Sequence, residues 1–132
     1  MTGRPPYRVP TMAEVRALPW NGLAVASLFA GGGGSSTGYR MAGYRVAYAN
    51  DVVPEARETY RANCAGYTTV DGDDVRTVPG ARILDAVERM TGSRLLDVLD
   101  GSPPCQAFSL AGPRDRNWGR EVAHADGTTQ RS

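Results

Sequence analysis

A chain of 132 residues, 41% hydrophobic and 22% charged, has the length and makeup of one soluble globular domain, which excludes a disordered polymer. Its formal net charge of +1 speaks neither for nor against nucleic acid, and its lysine-free, arginine-only basic set is the bias expected of a GC-rich coding genome. Cys64 and Cys105 lack Cys-x-x-Cys or histidine-rich spacing and no apolar run reaches membrane-span length, so the expectation is no metal, no membrane and a cytoplasmic location.

Pro5, Pro6 and Pro10 with Arg4 and Arg8 predict an irregular basic arm, open to touching DNA or to packing on the rest of the chain. Thr11-Met12-Ala13-Glu14 fits a capping box opening a short helix to about Leu18, stopped by Pro19. The run from Leu23 to Phe29 is almost continuously apolar, as a strand covered on both faces would be. Gly31 to Gly34 end it. Ser35, Ser36 or Thr37 can cap the helix that follows, and Gly43 can close it. Tyr44 to Ala49 alternates as a second strand, ending at Asn50-Asp51.

Pro54 suits the first turn of a helix running from Glu55 to about Cys64, with Ala56, Tyr60 and Cys64 on one face, which predicts Cys64 as a core residue. Tyr67 to Val70 predicts a third strand, with a polar turn over Asp71-Gly72-Asp73-Asp74. A helix over Ala81 to Met90, with Ile83, Val87 and Met90 at helical spacing, is closed by Gly92. A fourth strand is predicted over Arg94 to Asp100, its apolar run reading as buried. From Ala111 to Ser132 no apolar period is sustained, which predicts a long mobile loop, either a lid or a tail, with His124 solvated. Strand and helix alternate throughout, so a parallel doubly wound α/β sheet is the economical architecture.

Two places carry chemistry. A glycine run between the first strand and a helix lets a ligand approach the backbone, and Asp51, about twenty residues on at the end of the second strand, can accept from ribose hydroxyls. Asp73 can accept from an adenine amino group or merely shape its turn. NAD and S-adenosylmethionine both suit these features. Ser102-Pro103-Pro104 then turns the chain out of the fourth strand and presents Cys105, in a Gln106-Ala107-Phe108-Ser109 setting poor for packing. Hydride transfer needs no cysteine there, whereas methylating an unactivated pyrimidine carbon needs a nucleophile, and this favours S-adenosylmethionine over a nicotinamide oxidoreductase.

Pro103-Pro104-Cys105-Gln106 after a strand, with Phe29-Ala30-Gly31-Gly32-Gly33-Gly34 upstream, resembles the DNA (cytosine-5) methyltransferase family over most of residues 23 to 130. Asp51 takes the place of the family's acidic second-strand residue and Gly72-Asp73 resembles its third motif. Ser27 departs from the acidic residue many members have near the methionine end of the cofactor. The resemblance implies a Rossmann-like S-adenosylmethionine-dependent methyltransferase fold. Its implied cofactor contacts are Phe29, Ala30, Gly31, Gly33, Asp51, Val52, Asp73 and Pro103, with Cys105 the catalytic nucleophile on a cytosine flipped from double-stranded DNA. It also implies a mobile loop over 107 to 130 and a place for Gln106 on the duplex side of the site.

The family's Glu-Asn-Val and Gln-x-Arg-x-Arg motifs, target-recognition domain and closing motifs have no match. The expected organisation is therefore an arm and short helix at 1–22, then the front part of a catalytic domain at 23–132 whose parallel sheet is incomplete. Such a chain is expected to be inactive alone, or to be a non-catalytic cofactor-binding fragment or split subunit completed by a second polypeptide. It would expose a strand edge and apolar faces around Leu95, Leu96, Val98 and Leu99.

Overall fold

The computed structural model describes residue 3, residues 6–104 and the backbone of two short strands at 121–123 and 129–131. The chain divides into two compact units, Met1–Ser102 and Pro103–Ser132.

In the first unit, four strands form one parallel sheet: β1 (Ala24–Leu28), β2 (Arg45–Asn50), β3 (Thr69–Asp71) and β4 (Val98–Gly101), in the spatial order β3-β2-β1-β4. The connecting helices are α2 (Gly34–Met41), α3 (Pro54–Asn63) and α4 (Gly80–Thr91), with a 3-10 turn at Val75–Thr77 and a preceding helix α1 (Met12–Ala17). The chain runs from β1 outward through β2 to β3, then returns to the far side of β1 as β4. The direction of winding thus reverses between β1 and β4, and it is outside the carboxyl ends of strands at such a reversal that open α/β sheets leave a crevice.

The core is built on β1. Successive side chains of a strand point to opposite faces, and Ala24, Val25, Ala26 and Ser27 are all at most 1% exposed, so β1 is covered on both sides. On one side Ala24, Ala26, Ala47 and Tyr48 meet Ala86 and Val87 of α4, flanked by Ile83, Met90 and Leu96. The alanines bring α4 close to the sheet, and burying a side chain such as Val87 contributes about 1.5–3 kcal/mol.

The predicted caps hold in part. Thr11 and Glu14 form a reciprocal capping box at α1, and Pro54 occupies the first turn of α3. Val15 of α1 is buried, and Arg45 of β2 lies over the rings of Trp20 and Tyr67, so the segment before β1 is tied to the sheet. At α2 the N-cap is Gly33, in the left-handed conformation, rather than Ser35, Ser36 or Thr37. A serine inside the first turn cannot also be the half-extended residue that precedes it, and these three hydroxyls are engaged elsewhere. Cys64 is the C-cap of α3 and only half-buried, because the helix stops at Asn63 before that face is completed; its thiol lies 3.6 Å from the Arg61 carbonyl.

β4 is shorter and less buried than its apolar sequence implies. Arg94 is held by Asp85 at 2.5 Å and Glu88 at 3.0 Å on α4, and Leu96 packs beneath that helix. The Asp97 side chain accepts the Ala24 amide at 2.7 Å and the Asp97 amide donates to the Ala24 carbonyl at 3.2 Å, and the strand register with β1 begins at Val98. Leu95 and Leu99 are 66% and 61% exposed, and β4 is an edge of the sheet among the described strands. At β3 the strand includes Asp71, which sequence assigned to the turn, because its backbone pairs with Asn50 and Asp51.

In the second unit, β5 (Glu121–Ala123) and β6 (Thr129–Arg131) pair antiparallel, with Val122 opposite Gln130. This corrects the reading of 111–132 as loop throughout, since short strands of mixed polarity carry no sustained apolar period. Cys105, Gln106 and His124 lie outside the described residues.

Candidate functional site

The carboxyl ends of β1 and β2 are locked together at a glycine corner. Phe29 leaves β1 with φ +54°, rare for a residue with a side chain, and Gly31 and Gly33 follow at φ +54° and +96°. Two strand-end contacts hold this path: the Ala30 amide donates to the Asn50 carbonyl at 2.9 Å and the Gly31 amide to Asp51 Oδ2 at 2.8 Å. Asp51 Oδ1 accepts the Val53 amide at 2.9 Å, which sets the start of α3. Asp51 is therefore a brace for the corner, a role that sequence did not suggest, and each of its oxygens retains a further lone pair.

Behind the corner sits a polar cluster that sequence reasoning missed. Tyr60 of α3 is 2% exposed and donates to Ser36 Oγ at 2.9 Å, while Arg40 donates to the Tyr60 hydroxyl at 3.3 Å and lies over its ring. A Cβ on Gly33 would stand 3.0 Å from the Tyr60 ring, so glycine is required there both by φ and by space. A Cβ on Gly31 would meet nothing within 4 Å, leaving open room over the tip of the corner where a ligand can reach the backbone. Helix α2 begins at that corner with no side-chain cap from its N-cap residue, Gly33.

Asn50 is a second missed residue. It is 2% exposed, and its side-chain amide donates to the Asp73 carbonyl at 2.8 Å, coupling the end of β2 to the turn after β3. A polar residue closing a buried strand was its only signal in the sequence. Gly72 has a packing reason: its missing Cβ would lie 2.6 Å from the Arg57 guanidinium carbon, and Arg57 in turn donates to the Asp51 carbonyl at 2.8 Å.

Around β3 the charges are paired. Arg82 of α4 bridges Asp71 at 2.9 Å and Asp73 at 2.5 Å, and the Tyr48 hydroxyl donates to Asp71 at 2.7 Å. Burial acts to raise the Asp71 pKa, but the Asp73 amide, the Tyr48 hydroxyl and Arg82 outweigh it and hold the carboxyl at about 2. Burial, reinforced by Asp71, pushes the Tyr48 phenol up. Asp73 remains half-exposed, but Arg82 competes for the carboxylate that sequence offered to an adenine amino group.

Of the other residues singled out by sequence, Val52 is exposed beside Asp51, and Phe29 is partly exposed at the corner. The structure thus brings Phe29, Ala30, Gly31, Gly33, Asp51 and Val52 to one end of the sheet, with Asp73 linked through Asn50. Pro103 is exposed and belongs to the second unit, and Cys105 is not among the described residues. Among those residues there is no group of three or more His, Cys, Asp or Glu able to hold a metal ion, and no helix is long and apolar enough to cross a membrane.

A parallel sheet in this order, with a glycine corner after β1 and a carboxylate ending β2, defines a Rossmann-like α/β protein. The sequence profile of C-5 cytosine-specific DNA methylases matches residues 23–121, and the chain belongs to that family. It is 34% identical over 96 residues to type II methyltransferase M1.HphI of Haemophilus parahaemolyticus, covering 73% of this chain and 24% of that protein. It is 36% identical over 88 residues to type II methyltransferase M.AquIA of Picosynechococcus, covering 67% and 34%. With the DNA (cytosine-5-)-methyltransferase M.ApeKI of Aeropyrum pernix it shares 35% over 101 residues, covering 71% and 21%. In these three comparisons the matched region spans between about a fifth and a third of the relative's length.

Proposed function

We propose that this chain supplies the cofactor-binding corner and the nucleophile of a DNA (cytosine-5-)-methyltransferase that uses S-adenosylmethionine, acting in the cytoplasm on a cytosine flipped from double-stranded DNA. The observation that carries the reading is the juxtaposition at the winding reversal: the braced glycine corner leaves β1 directly beside the end of β4, where Leu28 pairs with Gly101. In sequence, three residues separate Gly101 from Cys105, a chain reach of at most about 14 Å.

Two features of the corner support this reading. Gly31 leaves open room over the backbone, and Asp51 keeps acceptor capacity for vicinal hydroxyls. Phe29, Ala30, Gly31, Gly33, Asp51 and Val52 would hold the adenosyl portion, with Asp73 and Pro103 as further contacts. When bound, S-adenosylmethionine supplies an electrophilic methyl group on a sulfonium.

Cys105 provides the complementary activation. Its thiolate forms a bond to C6 of cytosine, which turns C5 into an enamine-like carbon able to accept a methyl group. Loss of the C5 proton to a base then expels the thiolate and restores the ring. A free thiol near pKa ~8.5 is only a small fraction ionised at neutral pH, so removal of its proton is part of the step. Extruding the base costs a few kcal/mol, roughly, before Cys105 can reach it.

In this reading residues 23–132 are the front part of the catalytic domain and 1–22 an accessory arm. The proton donor to the base and the sequence reader come from elsewhere, including a second polypeptide if the protein is split. Calorimetric titration with S-adenosylmethionine and with NAD tests the assignment. Binding of the first alone is expected, and tight NAD binding without S-adenosylmethionine would overturn it. Tritiated methyl transfer to DNA, with Cys105→Ser as control, tests the fragment reading: no incorporation by the chain alone is expected.

A further inference from the structure

Asp100 stands apart from the other carboxylates of the sheet. Asp71, Asp73, Asp74 and Asp85 are each paired with an arginine, and Asp51 and Asp97 accept backbone amides. Asp100 has no ion-pair partner among the described residues. It accepts only two hydroxyls, Ser35 Oγ at 2.9 Å and Ser27 Oγ at 3.4 Å, and both bonds fall on Oδ2.

Its position is equally specific. In the parallel register Ser27 of β1 lies opposite Asp100 of β4, one residue before Leu28 meets Gly101. Ser35 is in the first turn of α2, immediately after the glycine corner, where the helix dipole favours a negative charge. The corner is therefore flanked by two carboxylates on opposite sides of β1, Asp51 just past the end of β2 and Asp100 on β4. The first is committed to backbone amides and suited to hydroxyls, while the second is half-exposed and has no counter-charge among the described residues.

We propose that Asp100 is the specificity residue for the amino-acid end of the cofactor, its carboxylate pairing with the α-ammonium group, in place of an acidic side chain on β1. This rests on the cofactor reading above and assigns that reading a residue that the glycine corner does not contain. Ser27 and Ser35 orient the carboxylate through Oδ2 and leave Oδ1 without a protein donor among the described residues. A ligand lying across the carboxyl end of β1 then meets a hydroxyl acceptor at one side and a cation acceptor at the other. The charge sits one strand over from Ser27, a move that parallel register permits because adjacent residues on neighbouring strands point to the same face.

The test is calorimetry on the 132-residue chain with two ligands, S-adenosylmethionine and 5′-methylthioadenosine, which keeps the adenosine and the sulfur but lacks the amino acid. For Asp100→Asn, affinity for S-adenosylmethionine is expected to fall about tenfold, with affinity for 5′-methylthioadenosine unchanged. The exchange Ser27→Asp with Asp100→Ser, which moves the charge back across the strand pair, is expected to recover most of the loss. Equal loss for both ligands would make Asp100 a support for the fold and overturn the assignment. Unchanged S-adenosylmethionine binding by Asp100→Asn would overturn it too, leaving the cofactor reading intact. Wild-type chain that binds neither ligand would sink the cofactor reading itself and this assignment with it.

Discussion

The Gly31 amide donates to Asp51 Oδ2 at 2.8 Å, tying the tip of the glycine corner to the end of the neighbouring strand. The other oxygen of the same carboxylate holds the Val53 amide, so one side chain fixes both the corner and the entry to α3. Asp51→Asn has only one acceptor oxygen and must face one of these amides with its own NH2 group. The expected outcome is a loss of about 1–2 kcal/mol in urea denaturation. S-adenosylmethionine affinity should fall at least roughly tenfold by calorimetry, the equivalent of about 1.4 kcal/mol. A variant that folds normally and binds as tightly would remove the corner from the proposed site.

Gly33→Ala would force a side chain into φ +96° and against the Tyr60 ring at 3.0 Å. Both penalties act together, and thermal melts should show a loss of roughly 2–3 kcal/mol. Gly38→Ala, in the interior of the same helix with nothing within 4 Å of the new Cβ, should instead stabilise by about 0.5–1 kcal/mol.

Tyr60→Phe should also be costly although it removes only a hydroxyl. Ser36 is fully buried and Arg40 is 4% exposed, and Arg40 already has an Nε without a partner. Leaving both residues short of a hydrogen bond should cost about 1–3 kcal/mol. Retention of full stability would mean that the cluster behind the corner is reached by water.

Asp71 sets an acid limit on stability. Its folded pKa of about 2 lies below the ordinary aspartate value of 3.8, so its contribution is fully present above pH ~5 and is lost as pH falls through the folded value. After allowing for solvent around the half-exposed Arg82, that contribution is about 1–2 kcal/mol. Asp71→Asn should lower stability by this amount at neutral pH, and the gap to wild type should close between pH 5 and 2. Asp74 and Glu14 are also held low, so the difference between the two proteins, rather than the wild-type curve alone, is the readout.

The exposed edge of β4 should make the isolated chain self-associate. Leu95 and Leu99 are 66% and 61% exposed, and β4 is an edge of the sheet among the described strands, a template for another strand. Sedimentation should show association that the double substitution Leu95→Lys and Leu99→Lys reduces. A monodisperse wild-type monomer would remove the reason to expect a covering partner at this edge.

Much of the fold was legible because its signals are local. The capping box at Thr11–Glu14, Pro54 opening α3, Gly92 closing α4 and the apolar run of β1 each follow from a few neighbouring residues. The errors arose where a contact distant in the chain decided the matter. Arg94 was drawn out of a strand by Asp85 and Glu88, and Asp71 was drawn into one by the backbone of Asn50 and Asp51. Gly33 displaced the hydroxyl caps of α2 because Ser36 was claimed by Tyr60 from another helix.

By itself the sequence determined the alternation of strands and helices, the glycine corner and the cysteine motif that the family resemblance rests on. Spacing, turn chemistry and motif order all act over a few residues, and so survive without knowledge of the fold. Only the tertiary structure decided that Asp51 braces the corner, that Asn50 and Tyr60 support it, and that Asp100 lies opposite Ser27 with no counter-charge among the described residues. Those relationships depend on strand order and register, which are settled by packing between residues 20 to 73 positions apart, as in the bonds from Gly31 to Asp51 and from Ser27 to Asp100.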